Sequence, residues 1–266
     1  MSHEAELPGE AVNYEQLQMI CCRYFTAAKY ASGKRLLEVG CGAGLGLGYL
    51  ADIAAEVMGG DISEKNIRLA RQHYGDRVKL LHLDAHKLPF PNSSYDIIIS
   101  MEVIQYLDLP VFLEECRRVL KKGGALLLCI PNRNAPGFHP SYLSARYWSV
   151  PELAGQMAER GFPAELYGAF PIRRTSTLED LRGHLIIMMS RLLGSLPGGK
   201  AVKAWLNRRV IGRTILLKPE ITAADIDSSF MELQPLEVTR IDKTYRLIYA
   251  INKSSDSDGT GETQSP

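Results

Sequence analysis

The sequence predicts an α/β protein built on a doubly wound, mostly parallel sheet of seven strands, the Rossmann-like arrangement, with a helical insertion between the last two strands. Three observations carry this. Short apolar runs alternate with helical stretches from about residue 34 to 170. A glycine-rich turn stands where the first of these runs ends, and the alternation breaks after Phe170 before strand character returns at Tyr245. Apolar runs without polar alternation suit strands covered on both faces, and repeated strand–helix units imply a parallel sheet.

Five runs read as consecutive strands: Leu36 to Val39, Glu56 to Gly59, Val78 to Leu83, Tyr95 to Ile99 and Gly124 to Ile130. Ser63 can cap a helix carrying Ile67 and Ala70. Pro110 opens another with Phe112, Leu113, Cys116, Val119 and Leu120 on one side, ending in the cations and glycines of Lys121 to Gly124. Ser149 to Glu152 forms a capping box, and Gly161 ends that helix. Ala164 to Phe170 and Tyr245 to Ile251 read as strands six and seven. The divisions expected are an N-terminal helical cap over 1–33, a core over 34–172, an insertion over 173–240, a final core strand over 241–253 and a disordered tail over 254–266.

Composition narrows the functional classes. The 266 residues hold 31 Lys and Arg against 30 Asp and Glu, a net charge of +1, so no nucleic-acid partner is expected. Five cysteines at irregular spacing make no disulfide framework, and no Cys/His spacing resembles a zinc site, so no metal is expected. The start lacks a basic segment followed by an apolar one, which argues against a signal peptide, and the apolar run from Leu185 is too short and too charged to span a membrane. A cytoplasmic location is expected. Residues 173–218 carry ten Lys and Arg against two acids, beside Leu, Ile, Met and Trp. Such a segment can lie at a lipid surface or receive an anionic acceptor, or pack on the sheet edge with its charges solvated.

The chemistry concentrates in LLEVGCGAG over 36–44. Glycines there permit a tight turn and bring backbone N–H groups close to a ligand. Gly40, Gly42 and Gly44 alternate, unlike the G-x-G-x-x-G of dinucleotide enzymes. The looser match from Gly46 to Ala51 begins too far past the strand to make that turn. Asp61 closes the second strand about twenty residues on, where an acid can hold ribose hydroxyls, although it could instead cap its helix. Asp84 follows the third strand.

Three motifs in order resemble the type-11-like family of class I S-adenosylmethionine-dependent methyltransferases. They are LLEVGCGAG at 36–44, LDAHKLPFPNSSYDII at 83–98, and RRVLKKGG at 117–124. The resemblance spans roughly residues 34–170. It implies methyl transfer from S-adenosylmethionine to a small-molecule, saccharide or lipid-like acceptor. It also implies that Glu38 with the backbone of Gly40, Cys41, Gly42 and Gly44 holds the methionine end of the cofactor. Asp61 would bind ribose, Ile62 pack on adenine, Asp84 with Ala85 meet the adenine amino edge, and Ser100 and Met101 line the pocket. Relatives place a histidine after the fourth strand where this chain has Tyr106. His139, in the loop after the fifth strand, and Tyr106 are therefore the catalytic candidates, with His86 and Tyr142 behind them. The helix from Tyr14 to Phe25 would fold over the cofactor or simply pack on the sheet. An NAD(P)-binding oxidoreductase and a non-catalytic ligand-binding protein of the same fold are the alternatives.

Overall fold

The computed structural model describes residues 6–172 and 214–253. Its first elements are β1 (Ala11–Val12), α1 (Tyr14–Ala31), β2 (Arg35–Val39), α2 (Leu47–Ala51), β3 (Glu56–Asp61), α3 (Glu64–Tyr74) and β4 (Lys79–His82). Then come β5 (Tyr95–Met101), α4 (Leu109–Val119), β6 (Leu120–Pro131), α5 (Val150–Glu159) and β7 (Glu165–Pro171). After the second described stretch begins, β8 (Ile215–Leu216), β9 (Gln234–Pro235) and β10 (Tyr245–Asn252) complete the set.

The main sheet runs β4-β3-β2-β5-β6-β10-β7-β9. Strands β4, β3, β2, β5 and β6 are parallel, and β10 inserts antiparallel between β6 and β7. The seven expected strands are all present, and the two-residue β9 adds an eighth on the edge of β7. A separate two-stranded ribbon joins β1 to β8.

Two hydrophobic layers explain why the strand sequences lack polar alternation. Leu36, Ile97, Ile99, Leu127, Cys129, Leu247, Tyr249 and Ile251 face one layer, with the buried sides of α1, α2 and α3. Leu37, Ile98, Leu126, Leu128, Ile130, Ile248 and Ala250 face the other, with α4 and α5. Both faces of each central strand are therefore out of water. The helices begin where their sequences say. Asn13 and Gln16 form a capping box on α1, Ser63 caps α3, Asp108 caps α4 with Pro110 in its first turn, and Ser149 with Glu152 boxes α5.

One boundary differs from expectation. Lys121 to Gly124 do not end α4: the helix stops at Val119, with Arg117 and Arg118 as its terminal cations. β6 begins at Leu120, which pairs with Tyr95, and the register then jumps so that Ala125 faces Ile97. The two lysines and two glycines occupy this bulge, where Gly123 takes a φ of +81° that a side chain would resist. Lys121 reaches back to Asp96 at 2.8 Å.

Of the expected insertion, residues 173–213 lie outside the described residues, as does the tail from 254. The described remainder, 214–240, contains no α-helix; it is a strap of short strands and single 3-10 turns. Leu217, Ile221 and Met231 sink into the layer that contains α1. Ile221 N–H donates to the Leu45 carbonyl, and Glu220 pairs with His73 and Arg77 at the end of α3. The buried Gln18 of α1 is the central tie: its Nε2 donates to the Asp225 carbonyl at 2.9 Å, and its Oε1 accepts from Asp227 N–H at 2.9 Å.

Gln18→Ala removes both bonds, leaving the half-buried Asp225 carbonyl only the weak Cys21 thiol donor at 3.5 Å and the Asp227 N–H without this acceptor. The expected loss is about 1–3 kcal/mol, or a fall in Tm of several degrees for a chain of this size. Thermal unfolding checks it; an unchanged Tm would show that the strap is held by its other contacts.

Candidate active site

All the polar residues that the sequence singles out near the glycines sit at the carboxyl edge of the parallel strands, the edge where open α/β sheets bind ligands. The turn after β2 sets this edge. Gly40, Gly42 and Gly44 have φ values of +81°, +56° and +84°. Such values are costly for any residue with a Cβ. The turn is pinned from β3: Gly40 and Cys41 N–H both donate to the Gly60 carbonyl, and Gly42 N–H donates to Asp61 Oδ2 at 2.8 Å. The Tyr74 hydroxyl of α3 donates to the Gly44 carbonyl at 2.6 Å. Gly46 and Gly48, the looser dinucleotide match, flank and enter α2 and serve packing. A Cβ on Gly46 would strike the Tyr24 ring, and one on Gly48 would strike Glu220.

Glu38 lies just before the turn and is 1% exposed. Its Oε1 accepts from the Tyr24 hydroxyl at 3.0 Å, while Oε2 is buried with no hydrogen-bond partner. Burial pushes its carboxyl up to about 8; the Tyr24 bond and the nearby Arg23 guanidinium oppose this, and Asp61 reinforces it. Asp61 is 8% exposed at the tip of β3, and besides Gly42 it accepts from Ser63 N–H through Oδ1 at 2.8 Å. It therefore braces two backbone segments whatever else it binds. Beside it Ile62 is 66% exposed at the same edge.

Asp84 follows β4 in a turn, where its Oδ1 accepts from His86 N–H and contacts the His86 ring at 2.8 Å. The other ring nitrogen of His86 accepts from Asp108 N–H at 3.0 Å. Both nitrogens are thus committed, and the ring holds the loop before α4. Ala85 is buried in the layer of α4 and α5. Ser100 is fully buried, and its hydroxyl donates to the Val39 carbonyl at 3.0 Å, tying β5 to the end of β2. Met101 is buried at the end of β5. Tyr106 sits half-buried in the 3-10 turn Ile104–Tyr106, and His139 is exposed in the loop after β6, as is Tyr142.

Three neighbours escape sequence reasoning as site residues. Arg23 of α1, 5% exposed, chelates Glu6 with contacts of 3.1 and 2.7 Å and lies 3.7 Å from Glu102. Burial opposes the charge on Arg23, but Glu102 and Glu6 outweigh it and raise the guanidinium well above its ordinary value, so it is charged at any working pH. Tyr24 caps Glu38. Glu102 is the first residue past β5, with a φ of +58°. The helical spacing of α1 hints at a buried face, but only the fold shows which polar residues lie on it. α1 packs its buried side into one hydrophobic layer of the sheet, and its Tyr24 lies against Gly46 and bonds Glu38.

Comparison with known proteins agrees with this geometry. The methyltransferase-domain family matches residues 37–128. A probable S-adenosylmethionine-dependent methyltransferase of Mycolicibacterium smegmatis is 33% identical over 198 residues, covering 70% of this chain and 75% of the relative. A ubiquinone biosynthesis O-methyltransferase of Roseobacter denitrificans is 32% identical over 142 residues, 51% of this chain and 57% of its own length. Among solved structures, a Thermotoga maritima methyltransferase described as a possible histamine N-methyltransferase shares the fold with a TM-score of 0.54 at 18% identity, covering 91% of this chain and 92% of its own.

Glu38 supplies a test that needs no ligand. In the folded protein it keeps its proton up to about 8, whereas in the unfolded chain it loses it near the ordinary 4.5. Between those values the native state binds more protons, so stability falls as pH rises through that window. Glu38→Gln should remove this slope and unfold at higher temperature than the parent at about pH 8, by several degrees for each 1–2 kcal/mol recovered. Parallel Tm-against-pH curves for the two proteins would show that Glu38 is ionised throughout.

Proposed function

The chain belongs to the S-adenosylmethionine-dependent methyltransferases, and on that premise we propose that the carboxyl edge of β2, β3 and β5 holds the cofactor and delivers its methyl group to the hydroxyl of a small-molecule acceptor. The observation that carries the proposal is Glu38 Oε2, a carboxyl oxygen buried without a hydrogen-bond partner just before the left-handed turn. A cationic ammonium is the partner such an oxygen lacks, and the methionine end of the cofactor carries one. Family membership sets aside the dinucleotide oxidoreductase.

The remaining assignments follow from position. The backbone of Gly40, Cys41, Gly42 and Gly44 would border the methionine end. Asp61, with its two N–H donors already in place, would accept from the ribose hydroxyls through its remaining lone pairs. The exposed Ile62 side chain and the buried Ala85 would flank adenine, with the Asp84 turn at the amino edge. Met101 would face the reacting centre, and Ser100 would support it by fixing the end of β2. When bound, the cofactor supplies a strongly electrophilic methyl group, so the protein's task is chiefly alignment and exclusion of water.

Oxygen as the methylated atom is supported by relatives named as ubiquinone biosynthesis O-methyltransferases. His139 is proposed only as a group at the pocket rim, because it stands exposed on its loop, and Tyr106 as a wall of the acceptor space. Peripheral contact with a lipid surface through residues 173–218 is a further proposal; no helix among the described residues is long and apolar enough to cross a membrane.

Calorimetric titration is expected to show binding of S-adenosylmethionine and S-adenosylhomocysteine but not NAD(P)H. Asp61→Ala should weaken the cofactor by about 1–3 kcal/mol, roughly 5- to 150-fold in Kd. Glu38→Gln should also weaken it, and wild-type affinity should rise with pH up to about 8 as Glu38 loses its proton. Tight NADH binding without methyl-donor binding sinks the assignment. A folded Asp61→Ala variant with unchanged Kd would restrict Asp61 to bracing the turn. Incubating the protein with labelled methyl donor and a small-molecule extract, then identifying the labelled product, tests the hydroxyl acceptor directly.

A further inference from the structure

Methylating a hydroxyl releases a proton, and the need for a group to receive it rests on that reading of the reaction. The exposed His139 is poorly placed for the task. Glu102 has a different setting. It follows β5, a central strand between β2 and β6, at the same carboxyl edge as Glu38 and the glycine turn. Its φ of +58° lies in the left-handed region, which residues with side chains enter rarely and which concentrates at functional sites. Two other described non-glycine residues share this feature. Ser93 lies in the loop before β5, and Phe170 lies in β7 near the sheet's far edge, where its ring stacks on Phe230.

The conformation of Glu102 is fixed from both sides. Its N–H donates to the Cys129 carbonyl at 2.7 Å, and its carbonyl accepts from Gln105 Nε2 at 2.6 Å. The side chain is 27% exposed, and one carboxylate oxygen lies 3.7 Å from Arg23 Nη2. Arg23 cannot swing away, because Glu6 chelates it and its Nε donates to the Met19 carbonyl at 3.3 Å. Glycine would adopt this backbone without strain, yet the chain holds a carboxylate there and clamps it with a buried cation.

We infer that Glu102 contacts the acceptor hydroxyl and receives its proton, and that Arg23 is the positioning residue that aims the Glu102 carboxylate. The hydroxyl oxygen forms the new bond to the methyl carbon, the carbon–sulfur bond breaks with its electron pair passing to sulfur, and the hydroxyl proton moves to a Glu102 oxygen. Solvent takes the proton once product leaves. An ordinary carboxylate suffices, since the hydroxyl becomes strongly acidic as its oxygen gains a third bond. A neutral acceptor suits this place, because an anionic one would meet the carboxylates of Glu102 and Glu6 beside Arg23.

The test uses the full chain with Glu102→Gln, Glu102→Gly and Arg23→Gln. Both Glu102 variants should keep the Kd for S-adenosylhomocysteine within about threefold of wild type. Transfer of labelled methyl into a small-molecule extract should fall about 100-fold or more in both, the usual range for losing a general base. In Arg23→Gln the acid limb of the pH–rate profile should move to higher pH, because the Arg23 cation beside Glu102 is gone, an effect that lost packing would not produce. The inference is overturned if either Glu102 variant retains transfer, or if cofactor binding is lost with it. A wild type that binds S-adenosylhomocysteine but labels nothing overturns the hydroxyl-transfer reading and this inference together, whereas loss confined to the variants separates the two.

Discussion

The turn after β2 exists only because three alternate residues lack a Cβ and because β3 holds them in place. Gly60 offers its carbonyl to two N–H groups and Asp61 its carboxylate to a third. That bracing brings the end of β2, the tip of β3 and the start of α2 to one point. Glu38 is buried as a consequence, since the turn closes over it from one side and Tyr24 from the other. Val103, just past β5, occupies the space a Cβ on Gly40 would need, so the turn also sets how closely β5's exit can approach. The positions of Glu38, Asp61 and Glu102 are thus not independent; each is referred to the same few backbone atoms.

The site is closed by elements distant in sequence. α1 contributes Arg23 and Tyr24, and the strap after residue 214 grips α1 through Gln18 and the turn through Leu45. Two buried acids and a buried arginine are expensive to remove from water. Here Arg23 is matched by Glu6 and Glu102, while Glu38 is left half-satisfied and therefore holds its proton. A single cationic partner would complete it, which couples the protonation of the site to its occupancy.

Much of the fold and of the site is legible in the sequence, and the exceptions have physical causes. The strands in chain order, the glycine turn and the helix starts follow from apolar runs, glycine spacing and capping residues, because these are local signals, whereas the place of β10 between β6 and β7 is not. The ending of α4 misleads because cations and glycine suit a C-cap and a bulge alike; only pairing of Leu120 with Tyr95 distinguishes them. The family resemblance implies that Ser100 and Asp84 face the ligand, and both have hydrogen-bonding commitments to their own backbone surroundings. Arg23 and Glu102 escape notice because their meaning lies in a contact between residues far apart in the chain and in a backbone angle that no residue type announces.

The last strand has a temporal implication. β10 lies between β6 and β7 rather than at the edge, and the strap that grips α1 comes just before it in sequence. On a ribosome, the glycine turn and β2 emerge well before β10, and β6 and β7 have no strand between them until residues 245–252 have been made. Such long-range closure is slow and leaves strand edges open meanwhile. The nascent chain must therefore wait, with its sheet divided, until β10 has been made, and a truncation that removes only β10 would leave every cofactor motif in the sequence and no continuous sheet to carry them.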